Sequence, residues 1–160
     1  MIALQVENIR DFMHKLLLEP VFDAFRVSEA SITTFTTFTI DGQLHPEFYD
    51  GELSEPSPEP QASWADIRPF CTFVFKGKRL PLSFHIVLQL SREQLPQFLL
   101  DHDLTIAPED VFGLFLNMQY RNGTLTLTTG SSLRIFSGNR SLDAAWDQYV
   151  RAYLDREGLT

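Results

Sequence analysis

The sequence predicts an α+β fold, with a largely antiparallel sheet of about six to eight strands and three helices, the last of them long and amphipathic. Three observations carry this prediction. Apolar residues alternate along 80–90, Asn122-Gly123 separates two strand-like segments, and an apolar helical repeat follows Ser141. The chain has 160 residues, of which 44% are hydrophobic, so we expect a single domain with a sizeable core.

The first two elements are predicted to be a strand and a helix. Residues 1–4 are short and apolar enough for an opening strand. From Val6 to Leu17 the apolar side chains recur every three or four residues, and Pro20 closes the segment. This spacing predicts a helix with one face in the core.

Extended structure and then a loop are predicted next. Residues 24–28 and 31–40 are expected to be strands, because the stretch 31–39 holds five threonines and β-branched residues favour a pleated surface. Asp41-Gly42 supplies a turn. Residues 52–61 combine three prolines with glutamates and serines and lack a hydrophobic period, so they are predicted to form a surface loop, the segment most prone to disorder.

The middle of the chain is predicted to form two strands and a short helix. Residues 70–75 and 80–90 are expected to pair across a turn at 76–79. Cys71 would then alternate with phenylalanines, an apolar setting that makes it a core thiol with a raised pKa. Ser91 begins a capping box for a helix that ends near His102.

The last third is predicted to contain a hairpin, one more strand and a helix. Residues 111–120 and 124–129 should form the hairpin, since Asn-Gly is the dipeptide that a type I′ turn prefers. A further strand is expected over 133–136. The closing helix has its apolar residues at one helical period: Leu142, Ala145, Trp146, Tyr149, Val150, Tyr153 and Leu154.

The charge balance argues against general nucleic-acid binding. Thirteen basic and 21 acidic residues give a formal charge of −8, which repels a phosphate backbone. Residues 1–40 and 84–129 can each be written as strand, helix and two strands, an order of elements that also occurs in DNA sliding clamps. The two segments show no repeat at the level of individual residues. A clamp-like nucleic-acid accessory protein is therefore the weakest hypothesis.

Metal, cofactor and membrane partners are not expected. One cysteine permits no intramolecular disulfide, the four histidines lack metal-ligand spacing, and the glycines form no phosphate-binding motif. The start of the chain has no basic region ahead of a long apolar run. We therefore expect a cytoplasmic protein.

Eight polar residues in strands and turns are the candidates for ligand contact. Their side chains carry charge or hydrogen-bonding groups: Asp41, His45, Lys76, Lys78, Arg79, His85, Asn117 and Tyr120. Three of them form the dense basic cluster at 76–79, which can hold an anion or an acidic partner. The simpler interpretation is a hairpin turn that needs polar residues and glycine anyway. None of the eight is predicted to be catalytic.

Several short motifs together resemble one family from end to end. They include Thr39-Ile-Asp-Gly42, Trp64 with Arg68-Pro69, Lys76-Gly-Lys-Arg79 and Asn117 to Tyr120. The chain resembles an uncharacterised family of small cytoplasmic proteins of Gram-positive gut bacteria, catalogued as a domain of unknown function. This resemblance implies an intact, non-secreted single domain and brings no activity or cofactor.

The favoured hypothesis is a non-enzymatic binding or assembly module that forms a homodimer. It requires an exposed apolar patch larger than monomers usually show. The alternative is a protein or enzyme that binds a small anionic molecule in a pocket against the sheet, which requires the polar candidates to converge. Trp64 fits either a buried plug or an interface anchor.

Overall fold

The computed structural model describes residues 1–49, 59–75, 80–138 and 140–159. The strands are β1 (Ala3–Val6), β2 (Arg26–Thr33), β3 (Thr37–Ile40), β4 (Ser83–Gln89), β5 (Val111–Arg121) and β6 (Thr124–Leu133). The helices are α1 (Ile9–Leu18), α2 (Trp64–Phe75), α3 (Leu95–Asp101) and α4 (Ser141–Arg156). Short 3₁₀ segments occupy Pro20–Phe22, Pro46–Tyr49 and Pro108–Asp110.

The strands form one sheet in the order β1-β6-β5-β4-β2-β3, and every neighbouring pair is antiparallel. The predicted α+β class with an antiparallel sheet is confirmed. The described residues contain four α-helices rather than the three expected, because α2 replaces a predicted strand. β3 and β1 are the two edges of the sheet.

The two faces of the sheet differ in chemistry because side chains alternate along each strand. On the core face, Ile86, Met118 and Leu127 are almost fully buried and belong to one cluster with apolar side chains of all four helices. The opposite face, called the open face below, carries polar side chains such as His85 and Asn117, which are only partly buried. The sheet is thus packed on one side.

Residues 70–75 are helical, so their prediction as a strand was wrong. They form the second half of α2, and Pro69 lies inside this helix. The stretch from Phe70 to Phe75 is apolar on nearly every side, so neither a two-residue nor a 3.6-residue period stands out. Aromatic and β-branched residues then favoured the strand interpretation.

Two further strand predictions are corrected in detail. The stretch 31–40 is not continuous, since β2 ends at Thr33 and a turn closed by the Thr34 N–H to Thr36 carbonyl bond leads into β3. The segment 133–136 is not a separate strand, because β6 itself ends at Leu133. In contrast, the Asn122-Gly123 hairpin is confirmed, with positive φ angles of 54° and 77° at its two turn residues.

Part of the predicted loop at 52–61 can be placed. Residues 52–58 lie outside the described residues, as does the turn at 76–79. Glu59 is 3% exposed, and Gln61 forms an isolated bridge with Gln43. The segment after Glu59 therefore packs along the start of β2, where Val27 donates to the Ala62 carbonyl. No helix in the described ranges is long and apolar enough to cross a membrane.

Candidate interaction surface

One side of α2 is fixed firmly to the rest of the protein. Trp64 is fully buried and its indole N–H donates to the Leu16 carbonyl at 2.8 Å. Arg68 holds Asp23 through two bonds, Nε to Oδ1 at 2.8 Å and Nη2 to Oδ2 at 3.1 Å, and its Nη1 donates to the Leu17 carbonyl. The hydrogen bonds to Asp23 raise the pKa of Arg68. Trp64 is therefore a buried plug rather than an interface anchor.

Cys71 lies on the inner side of the same helix. Its side chain is fully buried, and burial raises the pKa of the thiol to about 11. The predicted core position and raised pKa of this residue are confirmed, although its neighbours are those of a helix rather than of a strand. A thiol that stays protonated at neutral pH is a poor nucleophile.

The outer side of α2 is apolar and exposed. Phe70 is 67% exposed and Phe73 is 74% exposed. Between these side chains and the core side of β2 and β3 runs a groove of about 660 Å³, lined also by Phe38 and Ile40. Every described residue that lines the groove is uncharged. Large exposed apolar surfaces of this kind typically mark interaction sites.

Phe35 extends this surface past the end of the groove. It is 92% exposed and its ring contacts that of Phe38 edge to face at 5.9 Å. Phe35, Phe38, Ile40, Phe70 and Phe73 are called the apolar patch below. The patch therefore joins the outer side of α2 to the edge strand of the sheet.

Edge strands present unpaired N–H and C=O groups, which proteins commonly guard with charged residues, proline or a bulge. β3 has the sequence Thr-Phe-Thr-Ile and its pairing with β2 is regular over all four residues. β3 is only four residues long, but no charged residue, proline or bulge occurs within it. The edge is chemically suited to pairing with another strand.

The structure places two of the polar candidates near the end of β3. The Asp41 carboxylate accepts a hydrogen bond from the Gln43 backbone N–H, which closes a local turn. His45 is exposed, and its Nδ1 lies 3.3 Å from the Glu47 carboxylate. Each side chain thus contacts a residue two positions along the chain. Lys76, Lys78 and Arg79 lie outside the described residues.

The remaining three candidates lie on β4 and β5. His85 lies on the open face with Nδ1 at 3.3 Å from Glu29, and Asn117 on the same face donates to the Thr128 carbonyl at 3.4 Å. Tyr120 is on the core face instead, where its ring stacks on Phe84 at 5.4 Å. Across the described residues, no hydrogen bond or ion pair joins two of the eight candidates, and their predicted role in ligand contact stays a prediction.

Phe70 and Phe73 were not among the residues predicted from the sequence to form a functional surface. Their spacing of three residues would have placed them on one helical face once the helix was known. The sequence alone contains no indication that these rings are exposed, since phenylalanine is usually buried.

The fold and surface define a class of protein: α+β, with one six-stranded antiparallel sheet, helices on one face and an exposed apolar surface at one edge. The chain belongs to a family of unknown function, DUF5721, whose model matches residues 15–160. No curated protein and no solved structure matches it. The resemblance to an uncharacterised family is thereby confirmed, while the bacterial source and cytoplasmic location stay predictions.

Proposed function

We propose that the protein is a non-enzymatic assembly module that forms a homodimer through the apolar patch. The observation that carries this proposal is the uncharged groove beside an edge strand that contains no charged residue, proline or bulge. The occupant we assign to the patch is a second copy of this chain. Two copies that each carry a formal charge of −8 repel one another, so an uncharged contact surface is the one that favours association.

The aromatic side chains of the patch expose much of the area that such an interface buries. A phenylalanine side chain contributes roughly 200 Å² when fully exposed, so the four phenylalanines of the patch present roughly 540 Å² at their fractional exposures. Apolar patches on monomers reach about 300–600 Å², and a stable interface buries about 800 Å² on each partner. The aromatic rings alone therefore reach the upper part of the range seen on monomers and supply about two thirds of the area that each partner of a dimer buries.

The geometry also allows a closed pair. Antiparallel pairing of two β3 strands about a twofold axis joins two sheets into one continuous sheet, because each strand keeps its core face on the same side. Phe38 and Ile40 lie on that core side in both copies. The two α2 helices would then lie on the same side of the joined sheet, with Phe70 and Phe73 of each copy packed against the partner at the seam.

The test is sedimentation equilibrium of the full chain and of a Phe70→Ser, Phe73→Ser double variant. We expect the wild type to be dimeric at about 50 μM and the double variant to dissociate at least about 100-fold more readily, since two buried rings are lost from each subunit. Phe136→Ser is the matched control, because Phe136 is fully exposed and lies outside the patch. This control should dimerise like the wild type.

Circular dichroism and thermal unfolding show whether the variants are folded, and exposed side chains are expected to change the fold little. A wild type that stays monomeric at about 500 μM would refute the proposal. So would a dimer that the double variant and the control form equally well. If the wild type is monomeric and hydrogen exchange shows β3 protected, a segment of the same chain covers the edge and the second copy is wrong.

A further inference from the structure

A second concave surface lies at one end of the open face, away from the apolar patch. It has a volume of about 380 Å³. Gln89 of β4 and Phe115 of β5, which are paired neighbours on the open face, form part of its wall. Gln61, Arg92, Phe112 and Arg134 also line this concave surface, which is called the arginine pocket below.

The arginine pocket has the opposite charge to the protein as a whole. Two guanidinium groups line it and no carboxylate does, although the chain carries a formal charge of −8. Glu109 lies in the adjoining hollow, which the same two arginines also line. Among the described residues, no carboxylate approaches the side chain of Arg92 or Arg134 within 4.0 Å. Both positive charges are therefore available to an anion.

Arg92 is held in place by neutral groups. Its Nη1 donates to the Val111 carbonyl at 2.6 Å, and its Nη2 donates to the Phe112 carbonyl at 2.7 Å. A longer contact of 3.5 Å reaches the Pro108 carbonyl. These acceptors fix the guanidinium without cancelling its charge, and Nε has no acceptor among the described residues. A fixed guanidinium loses little entropy when it binds a carboxylate or phosphate.

Aromatic and amide groups surround the two charges. The Phe112 and Phe115 rings lie 6.4 Å apart, and the Arg134 guanidinium lies 5.4 Å from the centre of the Phe112 ring. The Gln89 amide donates to the Gln61 side-chain oxygen at 3.1 Å, which holds both amides at the pocket wall. Rings offer a surface for a flat apolar group, and amides offer hydrogen bonds that fix its orientation.

We propose that the arginine pocket binds a small organic anion in which a carboxylate or phosphate is carried on an aromatic ring. The guanidinium groups of Arg92 and Arg134 contact the anionic group, and the Phe112 and Phe115 rings contact the aromatic ring. The pocket volume fits a ligand of this size. The site lies on the other face of the sheet from the apolar patch, so it stands independently of dimer formation.

The test is a nuclear magnetic resonance titration of the nitrogen-labelled protein with four probes: benzoate, phenyl phosphate, inorganic phosphate and the neutral benzamide. We expect saturable shifts at Gln61, Gln89 and Phe115 with at least one of the two aromatic anions, at a Kd of about 1 mM or below. Inorganic phosphate has the anionic group without the aromatic ring, and benzamide has the ring without the charge. Each should therefore bind at least about tenfold more weakly than the preferred aromatic anion. Comparison of benzoate with phenyl phosphate identifies the preferred anionic group.

Arg134→Gln should weaken the preferred probe by about tenfold, as expected for the loss of one charge-assisted contact. Arg121→Gln is the matched control, because it removes the same charge at the far end of β5 and should change the Kd by less than about twofold. Phe115→Leu is a second variant that retains both charges and should weaken the aromatic anion alone.

Three outcomes would overturn the proposal. The first is the absence of shifts at the pocket at about 20 mM of every probe. The second is an equal loss of affinity in the Arg134 and Arg121 variants, which would show only a general charge effect. The third is binding of benzamide as tight as that of benzoate and phenyl phosphate.

Discussion

The ion pair between Arg68 and Asp23 fixes α2 in the orientation that exposes the apolar patch, and its strength can be measured. Two charge-assisted bonds join the side chains, and each side chain is 23% exposed. Hydrogen bonds to charged groups contribute about 1.5–3 kcal/mol, whereas exposed ion pairs contribute about 0.2–1 kcal/mol. For a bidentate pair that water reaches in part, we expect a coupling energy of about 2 kcal/mol.

A double-mutant cycle with Arg68→Gln and Asp23→Asn isolates this energy by urea unfolding at one protein concentration. Arg68 also donates to the Leu17 carbonyl. The single variant Arg68→Gln and the double variant both lose this bond, so its contribution cancels in the cycle. Lys15 and Asp11, an i,i+4 pair at 3.4 Å on α1, form the control and should couple by about 0.3–0.5 kcal/mol. A coupling below about 0.5 kcal/mol for Arg68 and Asp23 would refute the assigned role of the pair.

Two further predictions concern Cys71 and the glycines. The thiol pKa rises from 9.0 to about 11 on folding, so its contribution to stability is complete below pH 9 and is lost as the pH rises towards 11. The free energy of unfolding of wild type minus that of Cys71→Ala should fall by about 2–3 kcal/mol over this range, and a constant difference would contradict it. Gly42 and Gly123 both have positive φ, but an added Cβ meets open space at Gly123 and lies 2.1 Å from the Val27 carbonyl oxygen at Gly42. In thermal unfolding, Gly123→Ala should cost about 1 kcal/mol and Gly42→Ala about 3 kcal/mol or more, and equal costs would contradict this account.

Local chemistry explains the parts of the fold that the sequence predicted well. The hairpin between β5 and β6 follows from Asn122 and Gly123, which adopt the left-handed backbone that the turn requires. The alternation around Ile86 identified β4, and the helical repeat through Trp146 identified α4. In each case a pattern within about a dozen residues was sufficient.

The misassigned segment and the candidate surfaces depend on distant contacts. Whether Phe70 packs inside or outside is decided by which side of α2 carries Arg68, and the partner of Arg68 is 45 residues away. Arg92 and Arg134 line the same pocket because the β5–β6 hairpin brings them close together. No local sequence pattern indicates this proximity. Tyr120 shows the same limit, since its register opposite Phe84 places it on the core face.

The pairing of β1 with β6 has a consequence for how the chain folds. Leu4 lies opposite Leu127 and Val6 opposite Leu125, so each contact closes a loop of more than one hundred residues. During synthesis, β1 leaves the ribosome well before β6 and is therefore left without this neighbour until the other strands of the sheet have been made. Long-range pairing of this kind slows folding, and the closing of β1 onto β6 is expected to complete the sheet.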